Sequence, residues 1–488
     1  METDKQRNRK AKDYIPLISW ATVVLVLLLI PLKIISSGFV PDGDARRHVA
    51  KAFTDKPYTD IVVMRSGYGI DHSPGWEWLL RVLAQKVGLN EDALMSFSVV
   101  SLLLCILLIP LLWMRRPEAW LAALMAEMVA IPELMTRFTQ ARPYLLTETI
   151  LIAVLFSWSK TDTKNPSRLK CILTCIGFSL STWVHGAWYL WGVVLAAFFL
   201  VGWWRTGIWL TGCWVVGTLG GALMTGSPVV LLDTTILPAV HIYQEHAPQW
   251  LLVGELQPSY GEFSTLTLLA LVFLWRKQQN ATTSGLLYSP LVALILIGWI
   301  LGFKADRFWA DWGVPAVLVW LAIQFEEIMI ISWNAISLKR LMVSGVLAVT
   351  VFMHSTNDLD RRYTGSLDEI FLDASDPNLK GWLPEAGGIF YNSQMQFFYN
   401  TFYKNPQADW RYILGFEPVL MPEADLKILR SIQSNQGALK YYEPWIKKML
   451  SADRLVIFSS SQPDLPELEW HNTIGDIWIG RLPKGKLR

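Results

Sequence analysis

Long apolar runs separated by short polar connections fill roughly the first three quarters of the chain. They lie at about 15–35, 93–113, 118–135, 144–158, 171–184, 187–204, 207–224, 263–275, 285–303, 314–332 and 341–354. Several approach the roughly 20 residues needed to cross a hydrocarbon core, so the pattern predicts an α-helical polytopic membrane protein with about eleven spans. Alternate connections carry the basic residues: the N-terminal tail (Lys5, Arg7, Arg9, Lys10, Lys12), Arg115 and Arg116, Lys160 to Lys170, Arg205, Arg276 and Lys277, and Lys339 and Arg340. Basic connections mark the cytoplasmic side. This places residues 1–14 inside, and loops 36–92, 136–143, 225–262 and 304–313 outside. Glu127 lies within a run and is expected to face other helices, because an unpaired carboxylate in lipid is costly. Glu326 and Glu327 suggest that the 314–332 span ends early or continues as an interfacial helix.

The pattern changes after residue 354. Short β-like runs appear at Gly388–Tyr391, Arg411–Leu414, Leu455–Phe458 and Asp476–Ile479, separated by helical stretches such as Glu423–Gln433 and Leu439–Leu450. Strands alternating with helices predict a C-terminal extracytoplasmic α/β domain over 355–488, with a partly parallel sheet. The expected organisation is a cytoplasmic tail (1–14), a transmembrane domain (15–354) that includes the outer loop 36–92, and that C-terminal domain.

Composition agrees with the bilayer reading. Of 488 residues, 52% are hydrophobic and 17% are charged, against about 25% charged in a soluble domain. Lys+Arg 43 against Asp+Glu 41 leaves a formal charge of +2, so there is no global field for a polyanion. A soluble enzyme, a disordered chain and a nucleic-acid binder are excluded. The 25 Trp residues suit a protein with many membrane-interface positions. Cys105, Cys171, Cys175 and Cys213 all lie in apolar runs, and the Cys171–Cys175 spacing is one helical turn, not a zinc knuckle.

Polar residues collect on the expected outer side. Asp42-Gly43-Asp44-Ala45-Arg46-Arg47-His48 follows the first span, and Asp71-His72-Ser73-Pro74-Gly75-Trp76-Glu77-Trp78 shares its loop. Arg137 with Arg142-Pro143-Tyr144, Trp183-Val184-His185-Gly186, and Lys304 to Asp311 complete the set. Asp42 and Asp44 can serve as a general base or hold a divalent cation (Mg or Mn) through hard oxygen ligands. Arginine recognises phosphate through its bidentate fork. Each piece also has a plain structural reading: Asp-Gly-Asp as a turn, Asp44 as the N-cap of a helix from Ala45 to Phe53, Arg142 as a headgroup anchor, and Pro74–Val87 as an amphipathic helix on the membrane.

The order of these clusters resembles the GT-C type of integral-membrane glycosyltransferase, in a bacterial branch related to oligosaccharyltransferases and protein mannosyltransferases. Asp42-Gly43-Asp44 matches the acidic motif of that class in position and spacing. His48, Asp71-His72 and Trp76-Glu77-Trp78-Leu79 continue the likeness, as do Arg142-Pro143, His185-Gly186 and Arg307. Gly43 and Ala45 depart from it, because many relatives carry a second, directly adjacent acid there. A second acidic pair in the third loop is lacking, with only Glu133 near.

The resemblance implies transfer of a sugar from a polyprenyl-phosphate-linked donor to a glycan, lipid or protein acceptor, on the extracytoplasmic face of a bacterial inner membrane. Asp44, or else Asp42, would be the base. Arg142, His185 and Arg307 would stabilise the departing phosphate, with His48, His72 and Glu77 contributing to substrate binding. The competing readings are a lipid-linked glycan transporter and a non-catalytic membrane assembly protein. Transporters tend to show inverted repeats and broken midplane helices, and the sequence has no internal repeat.

Overall fold

The computed structural model describes residues 14–67, 72–160, 162, 164–244, 251–259, 263–332, 336–473 and 475–483. Its contacts divide the chain into two compact units. The first comprises Met1–Phe39, Phe97–Met224 and Val253–Gly365, and the second comprises Val40–Ser96, Thr225–Leu252 and Ser366–Arg488.

The first unit is helical. A helix covers each expected apolar run, but among the described residues five, not eleven, are long and apolar enough to cross a membrane. These are Ile15–Ile35, Glu91–Trp113, Trp204–Leu223, Asp306–Ser332 and Leu338–Thr356. The other runs form shorter or more polar helices: Pro117–Ala130, Tyr144–Trp158, Arg168–His185, Trp191–Leu200, Phe263–Gln278 and Pro290–Gly302. Pro, Gly and polar residues at their ends stop them early; Gly186, for example, takes a left-handed conformation and closes Arg168–His185. In the second unit, a helix over Pro228–Gln244 occupies what the charge pattern assigned to an outer loop.

Close packing in the first unit uses small residues. The helix Trp204–Leu223 lies so near Arg168–His185 that a Cβ at Gly217 would sit 2.5 Å from Phe178 Cβ and 2.7 Å from the Cys175 carbonyl. Gly217 and Gly221 are four apart, the spacing that lets two membrane helices approach backbone to backbone. The acidic residues singled out in the sequence within these runs, Glu127, Glu326 and Glu327, each meet a partner. Glu127 is fully buried and accepts a hydrogen bond from Thr265 Oγ1 at 3.2 Å. Val314–Ser332 continues unbroken through Glu326 and Glu327, because Glu327 pairs with Arg276 and Glu326 accepts the backbone N–H groups of Arg115 and Arg116.

The second unit is built on a five-stranded mixed sheet of β1 (Ile389–Tyr391), β2 (Arg411–Tyr412), β3 (Arg454–Phe458), β4 (Glu469–Asn472) and β5 (Ile477–Arg481). The strand order is β2-β1-β3-β5-β4. β1 runs parallel to β2 and β3, while β5 is antiparallel to β3 and β4. Beyond the β2 edge, Val62 forms a parallel bridge with Tyr412, so the loop after the first span extends the sheet. One face buries Phe390, Phe398, Tyr412 and Ile479 together with Ala50, Tyr58, Ile61 and Val62 of that loop. The other face packs Leu455 and Ile457 against Leu429, Trp445 and Ile446.

Candidate functional site

In the second unit, Gly43 adopts φ +70°, and the helix Asp44–Ala52 starts directly after it. Asp44 is the first helical residue and Gly43 occupies the N-cap position, so the reading of Asp44 as the N-cap is corrected by one residue. The Asp44 carboxylate instead accepts from Arg47 Nε at 3.0 Å and from the Tyr399 hydroxyl at 3.3 Å. Every residue from Ala45 to Ala52 is buried, an unusual fate for the sequence Ala-Arg-Arg-His-Val-Ala-Lys-Ala. Such burial is tolerable only where each charge meets a counter-charge or acceptor.

Arg46 meets several. Its guanidinium, 0% exposed, donates to Asp42 at 2.8 Å, to Glu369 at 2.5 Å and to Asn400, and it lies over the Phe371 ring. Gln396 also reaches Glu369 and Asn400. Burial alone would raise the Glu369 carboxyl. Hydrogen bonds donated by Arg46 and Asn400 and the Arg46 charge outweigh it, holding Glu369 down at about 2. Asp42 itself is 64% exposed on its side chain, open to an incoming group.

Arg47 organises the neighbouring turn. It donates to Tyr58 at 2.8 Å, and Tyr58 donates to Glu77 at 2.5 Å. It also lies 4.1 Å from the Phe416 ring centroid. His48, 1% exposed, sits 3.5 Å from Glu77 through Nδ1 and 3.2 Å from Arg47 through Nε2. Glu77 comes from the helix Pro74–Val82, which is shorter than the expected 74–87 because it continues as a single π turn. Asp44, His48 and Glu77, all predicted from the sequence, therefore share one network through Arg47, while Asp42 belongs to the group around Arg46. His72 is half-buried nearby in sequence, and Asp71 lies outside the described residues.

The first unit gathers a second group. His185 closes its helix, and its Nε2 stands 3.1 Å from Arg307 Nη2 while its Nδ1 stands 3.4 Å from Thr147 Oγ1. Arg307 reaches Asp311 at 3.2 Å, one helical turn on, and Asp311 also pairs with Arg137. Arg142 pairs with Glu255. Arg137 lies over the Tyr144 ring and borders a cavity of about 310 Å³ lined also by Gln140, Asp306 and Trp309. His185 and Arg307 are thus in direct contact, and Arg137 joins them through Asp311.

The carboxylates do not form a convincing cation site. Asp42 and Asp44 are each bound to an arginine of their own, and among the described residues no group of three or more His, Cys, Asp or Glu side chains is placed to hold a metal ion.

Sequence reasoning missed Glu369, Asn400, Tyr399 and Tyr58. The Asp42–Arg46, Asp44–Arg47 and Arg307–Asp311 pairs were legible as i,i+4 or i,i+3 spacings. No local signal marks partners more than 300 residues away.

No protein-family model matches the sequence, and no curated protein matches it. The structure is similar to the crystal structure of the Archaeoglobus fulgidus oligosaccharyltransferase in the apo form. The TM-score is 0.50 at 12% sequence identity, covering 90% of this chain and 69% of that one. The chain therefore has a fold similar to that of this oligosaccharyltransferase.

Proposed function

We propose that this chain is a membrane glycosyltransferase that moves a sugar from a polyprenyl-phosphate-linked donor to a glycan, lipid or protein acceptor on the extracytoplasmic face of a bacterial inner membrane. The observation that carries the reading is the fold similarity to an oligosaccharyltransferase over 90% of the chain. The buried network around Asp42 and Asp44 supports it. So does the cluster of Arg137, Arg307 and His185.

Asp44, or else Asp42, acts as the base. Its carboxylate takes the proton from the acceptor group, the acceptor atom bonds to the anomeric carbon, and the bond from that carbon to the phosphate oxygen breaks. The electron pair leaves on the phosphate. Arg47 and Tyr399 orient Asp44 for this role, and Arg46 orients Asp42. Arg142, His185 and Arg307 hold the departing phosphate, since Arg recognises such oxygens through two parallel N–H bonds. Glu77, His48 and His72 contribute to substrate binding, Glu77 and His48 by fixing Arg47. Residues 15–354 form the membrane-embedded part with the loop 36–92, and residues 355–488 the outer α/β domain.

The test is transfer by purified protein from a synthetic polyprenyl-phosphate sugar to a panel of glycan, lipid and peptide acceptors. Transfer that disappears in Arg307→Gln supports the proposal. Absence of transfer from every such donor, with donor binding also lost, rejects it. Reporter fusions after Arg116, Lys170 and Arg340 should read cytoplasmic, and a fusion after Thr356 should read outside.

A further inference from the structure

At the other end of the first unit's helices from His185 and Arg307 lies a cavity of about 560 Å³. It opens among the ends that carry Arg115, Arg116, Lys160 and Arg276, the basic connections of the sequence. Trp113 and Phe156 stack in parallel on its wall, with ring centroids 6.0 Å apart at 8°. Trp203, Trp320 and Tyr288 add further aromatic surface, and Tyr288 is 71% exposed. Its volume falls within the range of small-ligand sites.

The charges in this cavity are balanced. Arg276 is spent internally, on Glu327, on Gln324 at 3.0 Å and on Gln279 at 3.2 Å. Among the described lining residues that leaves one cation, the exposed Lys160, and one carboxylate, Glu326. Glu326 is fixed by accepting the backbone N–H groups of Arg115 and Arg116. An anion alone would meet Glu326, and a cation alone would meet Lys160. A group carrying both signs fits. Indole faces attract an ammonium, and Trp and Tyr are stable at headgroup depth.

We infer that this cavity binds the headgroup of a zwitterionic phospholipid, its phosphate on Lys160 and its ammonium on Glu326 among the indoles. Basic connections place it in the cytoplasmic leaflet. The inference goes beyond the transfer reaction and does not depend on it.

The test is isothermal titration of detergent-purified full-length protein with dihexanoyl-phosphatidylethanolamine, dihexanoyl-phosphatidylglycerol and free phosphoethanolamine. Phosphatidylethanolamine should bind saturably and more tightly than the other two. Glu326→Gln keeps an acceptor for both N–H groups while removing the charge. It should weaken phosphatidylethanolamine about tenfold, the size of one lost charge-assisted bond, and leave phosphatidylglycerol unchanged or tighter. Lys160→Gln should weaken both lipids. Phosphatidylglycerol binding as tightly as phosphatidylethanolamine to the wild type would overturn the inference. So would free phosphoethanolamine binding equally well, which would mark a site for a soluble phosphoamine. If Glu326→Gln fails to fold, Lys160→Gln decides alone, and unchanged phosphatidylethanolamine binding there overturns it.

Discussion

Glu369→Gln tests whether the helix Asp44–Ala52 is held in place by charges from the far end of the chain. Arg46 is fully buried and relies on Glu369, Asn400 and Asp42. Removing one member of a buried pair costs about 3–5 kcal/mol, and Glu369 is 23% exposed on its side chain. Glutamine retains a carbonyl that can accept one neutral bond, and Asp42 remains, so the expected loss is smaller, about 2 kcal/mol. The pH dependence gives a second route to the same size. Glu369 is held at about 2 against an ordinary 4.5, a difference of at most roughly 3 kcal/mol, and its partial exposure lowers this. A depressed carboxylate contributes its stability above pH 4.5 and loses it as pH falls through about 2. Thermal unfolding of wild type and Glu369→Gln in detergent should therefore differ clearly at pH 7, with most of that gap closed at pH 3. An equal melting temperature at pH 7, or a gap of the same size at pH 3, would refute the reasoning.

Asp44→Asn should keep the fold, since Asn can still accept from Arg47, but should reduce transfer about 100- to 10,000-fold if Asp44 is the base; loss in Asp42→Asn alone would move the base two residues upstream. Asp311→Asn should weaken donor binding while leaving acceptor KM unchanged, because Asp311 fixes Arg137 and Arg307; donor affinity by titration checks it. Gly217→Ala should lower thermal stability by roughly 1–3 kcal/mol through overpacking against Phe178 and the Cys175 carbonyl, while Gly212→Ala, whose Cβ would meet nothing within 4 Å, should be close to neutral.

What the sequence made legible follows from how local each signal is. Apolar runs located the helices, because burial in lipid is a property of a contiguous segment. Tyr144–Trp158 and Pro290–Gly302 satisfy the apolar pattern but are only 15 and 13 residues long, which separates them from the five long apolar helices among the described residues. Strands β1, β2, β3 and β5 were visible as short β-branched and aromatic runs. β4, Glu-Trp-His-Asn, was not, because its pairing with β5 decides it and its composition does not. Asp42, Asp44, His48 and Glu77 were found through their proximity in one loop. The packing of that loop on the sheet through Val62 and Tyr412 is a tertiary fact without a periodicity to announce it.

The buried helix Asp44–Ala52 has a consequence for synthesis. Arg46 leaves the ribosome 323 residues ahead of Glu369 and 354 ahead of Asn400. At about 5–20 residues per second, the first of those acceptors follows roughly 15–65 s later. For that interval the helix carries cations whose burial is unfavourable, so the loop must stay hydrated until the tail arrives. A nascent chain stopped before Glu369 should leave this loop open to protease, and one extended past β5 should protect it. The order of translation thus makes the second unit the last part of the molecule to close.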